Sequence, residues 1–331
     1  MSRRLPLPGE FDLIERYLAP LAQGEKGAFG LTDDAAFLMP RAGQGFVVTA
    51  DAIVEGVHFL RTDPARDIAK KALRVNLSDL TAKGARPRTY FMTTAWPAWI
   101  DEAWIADFAS GLAEDQKMFG IRLGGGDTVR TFGPLSISIT ALGDAPPGSM
   151  IRRSGARAGD DVWVTGTIGD AGLGLRIAQS APDRLSPADR RFLLQRYRVP
   201  EPRVTLGPVL ARLASSSIDV SDGLVADAGH LARQSGTSFT LSLEQVPVSV
   251  AAQHALAQEI VSKADLLVSG DDYEILFTAP ASSRRRIEAA IKRAGVSAAR
   301  IGTCVKGPGQ VFVLHEDGEP LQFAQTGFTH F

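Results

Sequence analysis

Six short groups hold the residues best able to do chemistry, and each is built on aspartate. They are Thr32-Asp33-Asp34-Ala35, Thr49-Ala50-Asp51, Asn76-Leu77-Ser78-Asp79, Gly124-Gly125-Gly126-Asp127-Thr128, Asp219-Val220-Ser221-Asp222-Gly223 and Gly270-Asp271-Asp272-Tyr273-Glu274. Singly, each reads as a turn or helix cap, because a short carboxylate bonds local backbone amides. Together they read as a site for hard cations and a polyphosphate. Mg²⁺ takes carboxylate oxygens, keeps waters and completes its shell with substrate phosphates. Two carboxylates about 4 Å apart repel by roughly 4 kcal/mol at an effective dielectric near 20, so such a cluster is strained without metal.

Spacing refines the picture. Asn76 and Asp79 are three apart and share a helix face. Asp79 then falls mid-helix, where aspartate has poor propensity and no capping use. Asp51 is expected at the end of an apolar strand over 46–50, where α/β sheets present ligand groups. Gly124-Gly125-Gly126 removes three β-carbons before Asp127. The run is expected to be a loop whose amides approach an anion while the aspartate holds a cation. If 219–222 is extended, Asp219 and Ser221 point to one side. Gly223 then opens a helix whose first amides are free donors.

Other chemistries lack their signatures. There is no Gly-x4-Gly-Lys-Ser/Thr, no kinase-type glycine loop with its partner motifs, no dinucleotide fingerprint and no Gly-x-Ser-x-Gly elbow. The five histidines form no His-x3-His pair, which argues against zinc. Bound ATP would be held chiefly through aspartate-bound magnesium. Trp96, Trp99 and Trp104 are expected in a core, and Arg284-Arg285-Arg286 on a solvated helix face.

The elements that must position these groups are α+β in class. Phe11, Ile14, Leu18 and Leu21 recur at helical spacing. Asp63-Pro64 opens a helix that Gly84 stops, and another runs over 101–119 with Gly120 past its end. Leu135, Ile137, Ile139 and Ala141 alternate with polar residues as a half-buried strand. Strands are also expected over 88–95, 162–164, 273–278 and 311–314, and helices over 204–213, 223–234 and 284–293. The interleaving lacks the regular alternation of a doubly wound sheet.

At 331 residues, and roughly 100–200 per domain, two domains are expected. The boundary falls at Gly143-Asp144-Ala145-Pro146-Pro147-Gly148, giving 1–147 and 148–331. Lys+Arg 36 against Asp+Glu 37 excludes the basic footprint of a nucleic-acid binder. The single cysteine, Cys304, excludes an intrachain disulfide and a cysteine zinc cluster, and points to a reducing compartment. No apolar run approaches the roughly 18 residues of a membrane span. The first eight residues have no apolar run of a secretory signal behind their basic start. A cytoplasmic chain with no membrane partner is expected.

With these groups in this order, the chain resembles the thiamine-monophosphate kinase family. That family belongs to a superfamily with aminoimidazole-ribonucleotide synthetase, selenophosphate synthetase and a hydrogenase-maturation protein. The likeness runs from Gly9-Glu10-Phe11 through Asp33-Asp34-Ala35, Val57-His58-Phe59, Val75-Asn76-Leu77-Ser78-Asp79-Leu80 and Gly125-Gly126-Asp127-Thr128. It continues through Arg153-Ser154-Gly155-Ala156, Asp219-Val220-Ser221-Asp222-Gly223-Leu224 and Asp272-Tyr273-Glu274 to Gly327-Phe328.

The resemblance implies ATP-dependent phosphorylation of thiamine phosphate to thiamine diphosphate. It also implies a two-domain fold and a homodimer joined through N-terminal sheets. By motif, Asp34, Asp51, Asp79, Asp127, Asp219 and Asp222 would hold several Mg²⁺ ions, with Thr49 and the Ala50 carbonyl adding ligands. Asp127 and Asp222 are the pair it marks as catalytic. Gly126, Asp127, Arg153 and Ser221 would meet the nucleotide, and His58, Asp271 and Phe328 the thiamine phosphate. Thr32, Ala50, Ser269 and Asp271 depart from the family pattern. Two other readings are another ATP-dependent enzyme of the superfamily and a non-catalytic magnesium-nucleotide-binding protein.

Overall fold

The computed structural model describes residues 9–179 and 184–329. It divides into two compact units, one of Met1–Leu80 with Arg86–Pro147 and one of Thr81–Ala85 with Gly148–Phe331.

The first unit opens with helical turns of changing pitch. These are α1 (Glu10–Leu13), a π turn (Ile14–Leu18) and a 3-10 turn (Ala19–Ala22). One regular amphipathic helix was the expectation. Pro20 cannot donate to an α-helical ladder, so the pitch tightens there. Leu18 and Leu21 are buried, whereas Phe11 is 83% exposed.

β1 (Gly45–Val54), β2 (Arg86–Pro97), β3 (Arg122–Thr131) and β4 (Ser136–Ala145) form one sheet in the order β1-β4-β2-β3. Only the β2–β3 pair is parallel. Between the strands run α2 (Ala65–Ala82) and α3 (Glu102–Phe119). Asp101 caps α3 by accepting from Trp104 N at 2.9 Å, and Gly120 ends it at φ 69°, a conformation that glycine adopts without a Cβ clash. Both helices lie on one face of the sheet. Thr49 on β1 donates to Asp79 on α2, and Gln116 on α3 donates to Tyr90 on β2 at 3.1 Å. A buried two-pronged pair, Arg74 with Asp115 at 2.6 and 2.7 Å, joins the helices. Of the three tryptophans expected in a core only Trp96 is buried. It meets half-buried Trp104 and buried Phe108, with rings 5.3–5.7 Å apart within this trio, and half-buried Trp99 lies edge-on to Trp104 at 5.9 Å.

The second unit is built on six strands: β5 (Asp160–Thr165), β6 (Ser216–Asp219), β7 (Ser238–Ser242), β8 (Ile275–Pro280), β9 (Ala298–Val305) and β10 (Val311–Leu314). Their order is β10-β7-β9-β5-β8-β6, antiparallel except at β10–β7. Its helices are α4 (Asp170–Ala178), α5 (Pro187–Arg198), α6 (Gly207–Leu210), α7 (Leu224–Ser235), α8 (Val250–Ala257), α9 (Lys263–Val268) and α10 (Arg284–Ala294). The central strands are covered on both faces, so alternate residues feed two cores. Val162, Val164 and Leu276 join residues of α4, α7 and α8. Trp163, Ile275 and Phe277 join Ile287 and Ile291 of α10. The helix expected over 204–213 contracts to the four residues of α6. The arginine run on α10 is not wholly solvated, because Arg284 forks onto buried Asp161 at 2.6 and 2.7 Å.

Candidate functional site

β1 continues past Asp51 to Val54, paired with β4 throughout, so Asp51 stands mid-strand rather than at the strand end the sequence pattern indicates. There its side chain shares the helix-facing side with Thr49, in a cross-strand row with Ile139, Met92 and Gly126. The Thr49 hydroxyl donates to Asp79 on α2. Burial pushes the Asp51 carboxyl well above the usual range, and the neighbouring Asp79 charge adds to it. Asn76, three residues before Asp79, is fully buried; its Nδ2 bonds the Ala72 carbonyl at 3.0 Å and its Oδ1 has no hydrogen-bond partner among the described residues. This is an oxygen-only donor set short of positive charge. It fits a hard divalent cation. Ala50 is exposed and offers no side-chain donor.

The glycine run is not a loop. Gly124, Gly125 and Gly126 lie inside β3, with a register shift where β3 passes Tyr90 and Phe91. Glycine is required at 126 by packing: a Cβ there would stand 1.9 Å from the Met92 carbonyl oxygen. A side-chain-free strand resembles an anion loop in sequence, because both need close backbone approach. Asp127 pairs with Thr93, one step off the Asp51 row, and therefore projects from the opposite face. On that face a cleft of about 690 Å³ is lined by Phe11, Leu18, Asp33, Asp34, Phe91 and Asp127 among others. The first unit thus gathers Thr49, Asp51 and Asp79 in one group and Asp34, Gly126 and Asp127 in another. Among the described residues, no lysine or arginine pairs with Asp34, Asp51, Asp79 or Asp127. His58 is half-buried in the turn after β1. Its Nδ1 accepts from Val54 N at 3.1 Å, which leaves the neutral ring's proton on Nε2. The buried Lys71 ammonium donates to its carbonyl at 2.8 Å.

In the second unit the separate motifs do come together. Asp219 ends β6, and Ser221 and Asp222 follow in a tight turn into α7. Asp227, in the first turn of α7, accepts from both Ser221 N and Asp222 N at 3.0 Å. Asp271 N donates to the Ser221 carbonyl at 2.8 Å, and Phe328 N to the Asp222 carbonyl at 2.9 Å. Arg153 lies close enough to bias Asp227 and His230 electrostatically. Burial, then the Asp222 charge, pushes Asp227 up to about 7 against the pull of its two amide donors. Burial and the charges of Arg233 and Arg153 lower His230. Asp222, Asp227 and His230 place one ligand atom each within 4.8 Å of one another. The sequence motifs stop short of Asp227 and His230. The signal was an aspartate and a histidine three apart on α7, the first five residues after Asp222.

Family models for AIR synthase related proteins match this chain in both halves, the N-terminal domain over 32–145 and the C-terminal domain over 157–315. A thiamine-monophosphate kinase of Caulobacter vibrioides is 46% identical over 305 residues, covering 91% of this chain and 86% of the relative. This chain belongs to the thiamine-monophosphate kinase family. The crystal structure of a family member from Stenotrophomonas maltophilia superposes with a TM-score of 0.84 at 40% identity, covering 97% of this chain and all of that one. A structure described as AaThiL complexed with AMPPCP and TMP superposes at 0.77 and 29% identity, covering 93% and 98%. The two-domain α+β architecture is that of the family.

Proposed function

We propose that this chain transfers the terminal phosphoryl group of ATP to thiamine phosphate, forming thiamine diphosphate. The observation that carries the reading is the full-length likeness to a kinase held with AMPPCP and TMP. The local chemistry agrees with it. The nucleophile is a phosphate oxygen whose second pKa is near 6, so it is mostly deprotonated at neutral pH and needs no general base. What remains is alignment and charge neutralisation. Mg²⁺ would be held by Asp51 and Asp79 with the Thr49 hydroxyl, by Asp34 and Asp127, and by Asp219 and Asp222. When bound, it supplies neutralisation of the phosphate charges.

Gly126, Asp127, Arg153 and Ser221 meet the nucleotide in this reading, as the family motif assigns them. Asp127 and Asp222 are the carboxylates that the family motif marks as catalytic. His58, Asp271 and Phe328 line the thiamine phosphate site in this reading. Two copies associate through the first unit's sheet. Support comes from β1 and β3, which have no partner strand on their outer edges among the described residues, and from the exposed Val48 and Val129. No described helix is long and apolar enough to cross a membrane. A cytoplasmic reaction is part of the proposal.

Purified protein with Mg²⁺ and ATP should release ADP only when thiamine phosphate is present, with thiamine diphosphate formed in equal amount. ADP release indifferent to thiamine phosphate, or none at all, would overturn the reading. Light scattering at micromolar concentration should give a dimer; a fully active monomer would remove the sheet association.

A further inference from the structure

The second unit buries more charge than its site uses. Glu274 is fully buried, and its Oε2 accepts from Thr165 Oγ1 at 2.6 Å and Arg203 Nε at 2.7 Å. Its Oε1 accepts from Arg196 Nη2 at 2.8 Å and from Arg203 Nη2, so Arg203 grips both oxygens as a fork. Two residues earlier, Asp272 accepts from Gly169 N at 2.6 Å and Ala171 N at 3.2 Å at the start of α4. Both anchors point inward, with Asp272 and Glu274 at most 1% exposed.

The residues between and before these anchors are strained. Asp271 and Tyr273 hold φ of 71° and 50°, a region that side chains with a Cβ avoid. Such conformations persist only where the surroundings over-determine them. Here Asp271 N and Tyr273 N bond the Ser221 and Val220 carbonyls, each at 2.8 Å, and the Tyr273 hydroxyl donates to Asp271 Oδ1 at 3.3 Å. A buried ion network is weak evidence for stability, since desolvation offsets its attraction. Its fixed geometry is better evidence for positioning.

We propose that Glu274, held by Arg196 and Arg203, is a positioning residue for the phosphate acceptor, anchoring the strained segment that presents Asp271 beside Ser221. The proposal rests on the reading of Asp271 as a thiamine phosphate contact. Glu274→Gln keeps the size of the side chain and removes its charge, leaving the guanidinium fork with a neutral amide.

The test measures KM for thiamine phosphate and for ATP, with kcat, in the full chain at saturating Mg²⁺, for Glu274→Gln and Asp271→Ala side by side. Misplacement of Asp271 should raise KM for thiamine phosphate about tenfold or more while KM for ATP is unchanged. Asp271→Ala should move in the same direction. A purely structural role would lower the active fraction, so kcat falls with both KM values unchanged, and the proposal is overturned. If only Asp271→Ala raises the thiamine phosphate KM, the positioning role fails and the acceptor reading stands. If Asp271→Ala leaves that KM unchanged, the acceptor reading falls and takes the proposal with it. Should Glu274→Gln not fold, Arg203→Lys keeps the charge and loses the fork. That variant should raise the thiamine phosphate KM about threefold, and an unchanged value in folded protein overturns the proposal.

Discussion

In the first unit, Asp51 and Asp79 stand within hydrogen-bond reach of each other, the Thr49 hydroxyl donates to Asp79, and no guanidinium or ammonium is paired to either among the described residues. In the second, Asp170, Asp272 and Glu274 are buried with two guanidiniums, the hydroxyls of Thr165, Thr167 and Ser249, and backbone amides. The residue chemistry is the same, yet the first set has no counter-charge of its own. The second is given guanidiniums and hydrogen bonds, even though burial pushes Asp170 and Asp272 above the usual carboxylate range. A repelling set that the fold retains serves a ligand that brings positive charge. A satisfied set serves the geometry of the chain. The two should therefore respond oppositely to neutralisation.

The largest expected effect is on activity, from Asp79→Asn or Asp127→Asn. Changes in groups that merely support metal ligands cost about 10–100-fold, so loss of a direct ligand should cost more than about 100-fold in kcat/KM. Folding should be unharmed. In metal-free protein Asp79→Asn should melt no lower than the parent, because it relieves repulsion at Asp51. Near-parental turnover in either variant, at saturating Mg²⁺, removes that residue from the metal set.

The second unit should show the reverse. Asp272→Ala strands the Gly169 and Ala171 amides in the interior, and each unmade buried bond costs about 1–3 kcal/mol. A loss of about 3 kcal/mol in urea unfolding is expected. An unchanged midpoint would mean that the segment relaxes to find water, and that the two units are less different than their hydrogen bonds indicate.

What could be seen in sequence follows the same division. Asp219-Val220-Ser221-Asp222-Gly223 was legible because turn, strand end and helix start all lie within five residues. Asp51 and Gly124-Gly125-Gly126 were legible as unusual residues but misplaced, one at a strand end and the other in a loop. Local pattern cannot distinguish a glycine that admits a ligand from one that admits a neighbouring strand, as Gly126 admits Met92. The Arg196–Glu274 pair joins residues 78 apart. Arg196 sits in an arginine-rich helix whose sequence reads as surface, so no local signal marks it. β9 begins Ala298-Ala299-Arg300, without alternation, and only its partners β5 and β7 make it a strand.

A third, intermediate effect concerns ligand and metal together. ATP alone adds negative charge beside carboxylates that already repel, whereas ATP with Mg²⁺ should bind and stabilise the native state. A ligand at a hundredfold excess over its Kd contributes about 2.7 kcal/mol. Thermal denaturation with ATP plus EDTA should show little shift, and with ATP plus Mg²⁺ the full one. A full shift in EDTA would mean that side chains capture the phosphates directly, and the first unit's carboxylates would then need another role.

The smallest effect is a pH dependence of the metal-free protein that carries its sign in Asp51. Its carboxyl rises from 3.8 to about 7 on folding, through burial first and the Asp79 charge second. Between those values the native state binds more protons than the unfolded chain, so this group's contribution to stability falls as pH rises. The contribution is complete below about pH 4 and lost by the time pH passes the folded value. Other groups titrate in the same range, so the informative quantity is a difference between variants. In EDTA, the parent should lose about 2–4 °C more in Tm than Asp51→Asn between pH 5.5 and pH 8. Saturating Mg²⁺ should abolish that difference, since a metal-bound carboxylate is ionised at both pH values. Equal slopes for parent and variant in EDTA would show that Asp51 and Asp79 do not repel in the free protein, and the contrast between the two units would have to rest on the second unit alone.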